Sequence, residues 1–310
     1  MSLSLPTVAQ PAVSIIVATY NRSNALRCAL QTIVDQTFTD WEAWVIGDAC
    51  TDDTEGVVRS FGDPRIHFHN FESNFGEQSG PNNEGFRRAR GAAIAYLNHD
   101  DLWLPQHLER LHQHLYDTHA DLVFSLVEEV HRPDLTLIGG DSPTLRYDPL
   151  RPAGASCWLA RRELIEEVGP WRSYRESYVI APSQDWLFRA SKRKKNLVLL
   201  PEVTVVAIKS LAVPQAYVTR DDYYQRLYLS RIRESGYAER ALSHRTDREN
   251  SVVLRGLWPN LKQALVHLSH RICLAVGVHP MTAYSWYCFG LRGGLINHLR
   301  RARGLPVLKR

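Results

Sequence analysis

The chain has 310 residues, 44% of them hydrophobic, which is enough for a substantial core in one main domain with an appendage and too little for two large domains. Its formal net charge of +4 is too small to indicate nucleic-acid binding, and much of the excess lies in the last twenty residues. The five cysteines include no C-x-x-C pair, Met1 to Ala12 has no basic start before an apolar run, and no apolar stretch reaches about eighteen residues. A disulfide framework, a zinc site, a secretory signal and a membrane span are therefore not expected, and the protein reads as soluble and cytoplasmic with reduced thiols.

In chain order, Val13-Ser14-Ile15-Ile16-Val17-Ala18 is a β-branched run of the kind found in a strand buried on both faces, and it stops at Thr19-Tyr20-Asn21-Arg22. Leu26, Leu30, Ile33 and Val34 then recur at helical spacing, with Asn21 or Ser23 available as cap. Trp44-Val45-Ile46 reads as a second strand ending in the polar run from Gly47 to Thr54, where Thr51 can cap the next helix and Asp52, Asp53 and Glu55 lie near its positive end. Ile66-His67-Phe68 reads as a third strand and Asn82 to Arg90 as a third helix. A fourth strand, Ala92 to Leu97, breaks into Asn98-His99-Asp100-Asp101. Strands alternating with helices imply a mostly parallel α/β sheet flanked by helices.

Three strand ends thus carry polar clusters: Thr19 to Arg22, Asp48 to Thr54, and Asn98 to Asp101. In a parallel sheet these ends gather on one edge, where ligands of open α/β sheets bind. Adjacent carboxylates there suit Mg²⁺ or Mn²⁺, which keeps coordination sites open for substrate phosphates when held by one or two of them. The competing reading has Asp100 and Asp101 cap a helix starting near Leu104.

Beyond this point Leu104, Leu108, Leu111 and Leu115 form one helical face, and His107, His112, His114 and His119 read as solvated rather than metal-binding. Leu122 to Val127 is a strand, and Arg132 to Pro152 a long loop or hairpin. Asp185, taken alone, reads as a cap for a helix over Trp186 to Lys192. Arg220 to Arg245 is expected to be helical, with another helix beginning around Leu261 to Leu268. From Tyr284 to Arg310, aromatic residues interleave with Arg292, Arg300, Arg301, Arg303, Lys309 and Arg310 without one acid. Two readings stand for this tail: a segment held to the inner face of an anionic membrane, or a packed helix with a basic end.

Val13 to Arg22, Gln36 to Glu42, Asp48 to Thr54 and Asn98 to Asp101, in that order and spacing, resemble the family 2 glycosyltransferases of the GT-A fold, over about Val13 to Ala207. The resemblance implies a Rossmann-like GT-A domain over 1–210, with a nucleotide-binding half at about 13–103 and an acceptor half at about 104–210, followed by a helical extension over 211–310. It implies an inverting transfer from a nucleotide-sugar donor, UDP-linked by the commonest usage, to a hydroxyl acceptor, saccharide or lipid-linked, in surface polysaccharide or glycoconjugate assembly, with a divalent cation. By the same resemblance Thr19, Tyr20 and Arg22 belong to the nucleotide site, Asp48 accepts a hydrogen bond from the base, and Asp100 is the metal ligand. Asn98 stands where an aspartate is usual, and Asn82 where an arginine is. Ser183 to Arg189 is similar to the family's Glu-Asp-x-x-Leu-x-x-Arg segment, with Gln184 replacing Glu and Asp185 in the place of the catalytic base. A nucleotidyltransferase would carry a Gly-rich basic loop after the first strand, which Ala18 to Arg22 is not. The substitutions at Asn98, Asn82 and Gln184 leave one alternative, a catalytically inactive nucleotide-sugar-binding or scaffold protein of the same fold.

Overall fold

The computed structural model describes residues 10–132, 135–177, 180–209, 212–243, 268–289 and 294–308. Among the described residues nine strands form one sheet: β1 (Val13–Thr19), β2 (Trp41–Gly47), β3 (Ile66–Asn70), β4 (Ala93–Asn98), β5 (Asp101–Trp103), β6 (Leu122–Arg132), β7 (Leu135–Gly139), β8 (Trp158–Arg161) and β9 (Leu197–Ile208). Their order is β3-β2-β1-β4-β8-β6-β9-β5, with β7 alongside β6. The first four strands pair in parallel, as the alternating pattern requires. In the second half only β6 and β9 are parallel, and β4·β8, β6·β8, β5·β9 and β6·β7 are antiparallel.

The register aligns the strand ends. Thr19 lies opposite Gly47, and Ala18 opposite Asn98, so the three polar loops leave the sheet at one level. β5 follows β4 after only His99 and Asp100, yet lies four places away in the sheet. In a flat sheet that separation would be roughly 19 Å, whereas the chain from Asn98 to Asp101 reaches about 11 Å at most. The sheet therefore curls until its far edge returns to β4, and Asp100 sits at the point of closure.

Helices bury one face each against this sheet. Ala25, Leu26, Ala29, Leu30 and Ile33 of the helix Ser23–Val34 are fully buried, the stripe that a 3.6-residue period predicts. In the helix Ser79–Arg88, Gly85 lets the backbone approach β1, because a Cβ there would stand 2.4 Å from Ile16 Cγ2. In the second half of the chain, Trp158 stacks between Trp171 and Trp186 at ring separations of 5.5 and 5.7 Å. Truncating such a buried tryptophan costs roughly 3–5 kcal/mol.

Several local expectations are corrected. The two helices after β1 and β2 are not capped by Asn21, Ser23 or Thr51; Asp52 serves both, accepting from Ser23 N at 3.0 Å and from Thr54 N at 3.2 Å. Neither Asp100 nor Asp101 caps a helix, because β5 intervenes and the next helix is His107–Asp117. Asp185 lies inside the first turn of a helix that begins three residues earlier at Pro182. His107 is fully buried rather than solvated. It stacks on Trp103 at 4.3 Å and donates from Nδ1 to Thr204 Oγ1 at 2.7 Å, since the Thr204 hydroxyl is itself donated to Ser125. The segment after Arg132 is the β6–β7 hairpin followed by loop, and Arg220 to Arg245 divides into helices, Tyr223–Arg231 and residues 237–243.

At the C-terminal end the helices Met281–Phe289 and Gly294–Ala302 are described. The expectation over Leu261 to Val266, and those on Leu291, Arg292, Lys309, Arg310 and the side chains of Tyr284, Trp286 and Tyr287, lie outside the described residues. Among the described residues no helix is long and apolar enough to cross a membrane.

Candidate active site

The strand-end loops are held together by one asparagine. Asn21 adopts a left-handed conformation, φ 45°, and its Oδ1 accepts from Thr51 N at 2.8 Å and Asp52 N at 3.3 Å, tying the loop after β1 to the loop after β2. Ala49, directly after Asp48, also has positive φ, at 59°. A non-glycine residue there stores strain of about 1–3 kcal/mol, and such strain concentrates at functional sites.

Thr19, Tyr20, Asp48, Asn98 and Asp100 converge on one cavity of about 280 Å³. Asp48 is buried, and its carboxylate accepts from Phe75 N at 2.6 Å, Gly76 N at 2.9 Å and Asn74 Nδ2 at 3.0 Å. Burial pushes its pKa up, against the lowering effect of the backbone donors. Thr19 Oγ1 is buried with no hydrogen-bond partner among the described residues, which is costly unless something in the cavity supplies one.

The two aspartates of the acidic loop have separate parts. Asp101 is buried and accepts from Ser156 Oγ at 2.5 Å and Asn98 Nδ2 at 2.8 Å; burial, then the neighbouring Asp100 charge, pushes its carboxyl up. Asn98 thereby serves the loop's own structure. Asp100 faces the cavity. Burial acts against its ionisation, but the neighbouring His99, then Arg303 and Arg22, outweigh that and hold its carboxyl below the usual range. His99 between β4 and Asp100 is fixed in one tautomer: Nδ1 donates to Ala18 O at 3.2 Å, and Nε2 accepts from the Tyr217 hydroxyl at 3.3 Å.

Three of the residues expected in the site stand outside the cavity lining. Arg22 is buried behind it, donating from Nη2 to Asp221 O at 3.2 Å with its plane toward the Tyr217 ring, 5.4 Å away. Asn82 is buried in the helix Ser79–Arg88, whose cavity-facing residue is Pro81. Asp185 stands one turn beyond Pro182, which does line the cavity, so the i, i+3 relation puts both on one helix face. Its Oδ2 accepts from Arg189 Nε at 2.9 Å, while Arg189 also donates to Val168 O and Pro170 O; the carboxylate is thereby fixed in orientation.

The remaining wall comes from residues that sequence reasoning did not assign to the site. Tyr217 contributes its ring, and the helix Gly294–Ala302 with the turn after it contributes Ile296, Leu299, Arg300, Arg303 and Leu305. Arg300 is buried and donates from Nη1 to Gly76 O at 2.6 Å and from Nε to Pro306 O at 2.7 Å. No local pattern marks these residues, because the only signal is their basic and aromatic character.

A curled α/β sheet with a cavity at the carboxyl ends of β1, β2 and β4 and an acidic loop between β4 and β5 is the GT-A type of fold. Residues 14–136 match the sequence profile of Glycosyl transferase family 2. It is similar to the UDP-Glc:alpha-D-GlcNAc-diphosphoundecaprenol beta-1,3-glucosyltransferase WfgD of Escherichia coli, at 34% identity over 97 residues, 31% of this chain and 38% of that protein. An uncharacterized glycosyltransferase of Nostoc is 28% identical over 187 residues, 54% of this chain and 58% of its own. The chain thus spans between about two and three fifths of these relatives. Among solved structures, Staphylococcus aureus TarS 1-349 with UDP shares the fold at TM-score 0.54 and 18% identity, over 78% of this chain and 72% of that one. The Pyrobaculum calidifontis mannosyltransferase PcManGT with GDP-Man and Mn²⁺ does so at 0.52 and 18%, over 90% and 87%.

Proposed function

We propose that the protein transfers a sugar, with inversion, from a nucleoside-diphosphate sugar to a hydroxyl acceptor. The observation that carries this reading is the convergence of Thr19, Tyr20, Asp48, Asn98 and Asp100 on one cavity whose lining includes the start of the helix bearing Asp185. The aromatic face of Tyr20 suits a base, and the Asp48 carboxylate retains acceptor capacity for a base N–H beyond its three bonds. The unpartnered Thr19 hydroxyl would find its hydrogen bond in the ligand.

Among the described residues no group of three or more His, Cys, Asp or Glu could hold a metal ion by itself. Asp100 is the cavity-facing carboxylate of the acidic loop, whereas Asp101 is bound to Ser156 and Asn98. That donor set suits Mg²⁺ or Mn²⁺ shared between one carboxylate and the substrate's phosphate oxygens. Once bound, the ion would supply Lewis-acid stabilisation of charge on the departing diphosphate.

In this reading Asp185 takes the proton of the acceptor hydroxyl as its oxygen attacks the anomeric carbon. The ion pair with Arg189 holds the carboxylate in place for that transfer. A lipid-linked saccharide acceptor, in glycoconjugate assembly, is supported by the name of WfgD, whose acceptor is a diphosphoundecaprenol-linked sugar. The test is a thermal-shift panel of UDP-, GDP-, CDP- and TDP-sugars with Mn²⁺, followed by product formation with a saccharide acceptor for the donor that raises the melting temperature. Absence of a shift with every donor would overturn the reading.

A further inference from the structure

The strand-end side of the cavity is acidic. Asp48, Glu77 and Asp100 line it, whereas a nucleoside diphosphate brings further negative charge into the same space. Among the described residues that line the cavity, Arg300 and Arg303 are the only lysine or arginine side chains. They stand three residues apart, so they share a face of the C-terminal helix and its last turn.

The two stand at different points of the cavity wall. Arg300 is anchored by its bonds to Gly76 O and Pro306 O, which fix the segment against the loop that cradles Asp48. Arg303 is half-buried and lines the cavity together with Asp100. Its backbone is fixed as well. Arg303 O accepts from Tyr217 N at 3.1 Å and Ala302 O from Gln215 N at 3.0 Å, so the end of the helix is closed by the segment whose tyrosine ring lines the cavity.

We propose that Arg303 is a binding residue for the diphosphate of the donor, with Arg300 positioning the segment that carries it. A guanidinium offers a planar fork of donors matched to two phosphate oxygens, and a cavity wall screens it from bulk water. The tail is then part of donor recognition. This inference rests on the nucleotide-sugar reading above and adds to it the chain's own phosphate contact.

The experiment is calorimetric titration of the full chain with uridine and UDP, and with guanosine and GDP, at two salt concentrations. In the wild type the diphosphate binds more tightly than its nucleoside. Arg303→Gln should remove roughly 10–100-fold of that increment and flatten its salt dependence, while nucleoside affinity stays within about twofold. Arg303→Lys, which keeps the charge and loses the fork, should fall between. An unchanged increment in Arg303→Gln overturns the inference alone. Parallel loss of nucleoside and diphosphate binding with a lowered melting temperature in both variants assigns Arg303 a structural role and also overturns it. No binding of UDP, GDP, CDP or TDP by the wild type overturns the donor reading together with the inference.

Discussion

Arg300 reaches across 224 positions of sequence to Gly76, donating from Nη1 to its carbonyl oxygen at 2.6 Å. The N–H of the same glycine donates to Asp48 Oδ2 at 2.9 Å. One residue therefore couples the proposed base-binding carboxylate to the C-terminal segment. Its φ of 98° is open to glycine and strained for other residues.

Gly76→Ala should break this coupling. A Cβ would lie 2.6 Å from Leu308 Cδ2, so the new methyl group must displace the tail as well as strain the backbone. The expected cost is roughly 1–3 kcal/mol in urea unfolding, with faster amide exchange over 297–308. Unchanged exchange there would show that the tail is not held through Gly76.

Asp185→Asn should bind the nucleotide-sugar within about twofold of wild type and lose turnover by ~10²–10⁴-fold. The amide oxygen can still accept from Arg189, so packing survives while the proton acceptor is gone. Titration of the donor and product formation with a competent acceptor separate the two quantities. Transfer within a few-fold of wild type would remove Asp185 from the mechanism.

Asp100→Asn should abolish the part of nucleoside-diphosphate affinity that depends on Mn²⁺. Without metal, the same variant should bind the diphosphate at least as tightly as wild type, because one negative charge has left a cavity that must accept others. Titration of UDP and GDP with Mn²⁺ and with chelator reads both effects. Retained Mn²⁺ dependence would place the ion elsewhere.

His107 makes stability fall with acid. Burial lowers its pKa to about 3 from the ordinary histidine value of 6.5, so between these values the unfolded chain binds the proton and the folded chain does not. Stability therefore rises with pH across that window, and protonation of the unfolded state costs about 2 kcal/mol at pH 5 relative to neutral pH. His107→Gln cannot titrate, so the difference in urea unfolding between pH 7 and pH 5 should shrink by about that amount. An unaltered difference would show that other groups carry it.

The strand-end chemistry was legible because it is local: a β-branched run, a polar break and a helical period each lie within a dozen residues. Parallel pairing then follows for β1 to β4, and with it the meeting of Thr19, Asp48 and Asp100. The curl of the sheet was not legible, since it depends on β5 pairing with β9 about a hundred residues later. Nor was the role of Asn98, whose partner Asp101 is fixed by Ser156 from another element. His107 had a readable signal that was passed over: it precedes Leu111 and Leu115 by four and eight residues, on the buried face of its helix. Arg300 and Arg303 were readable only as members of a basic tail and Tyr217 not at all, because their placement is decided by contacts with Gly76, His99 and each other's backbone.

The distance in sequence between Gly76 and Arg300 also has a meaning in time. Ribosomes add about 5–20 residues per second, so roughly 10–45 s separate the synthesis of the two. Asp100 follows Gly76 by 24 residues, so for the last 200 positions of that interval Asp48 and Asp100 have both been synthesised, while the arginines that share their cavity have not. A nascent chain of this protein passes through a stage that has its carboxylates and lacks their counter-charges, and it acquires a closed cavity only as the residues around Arg303 emerge.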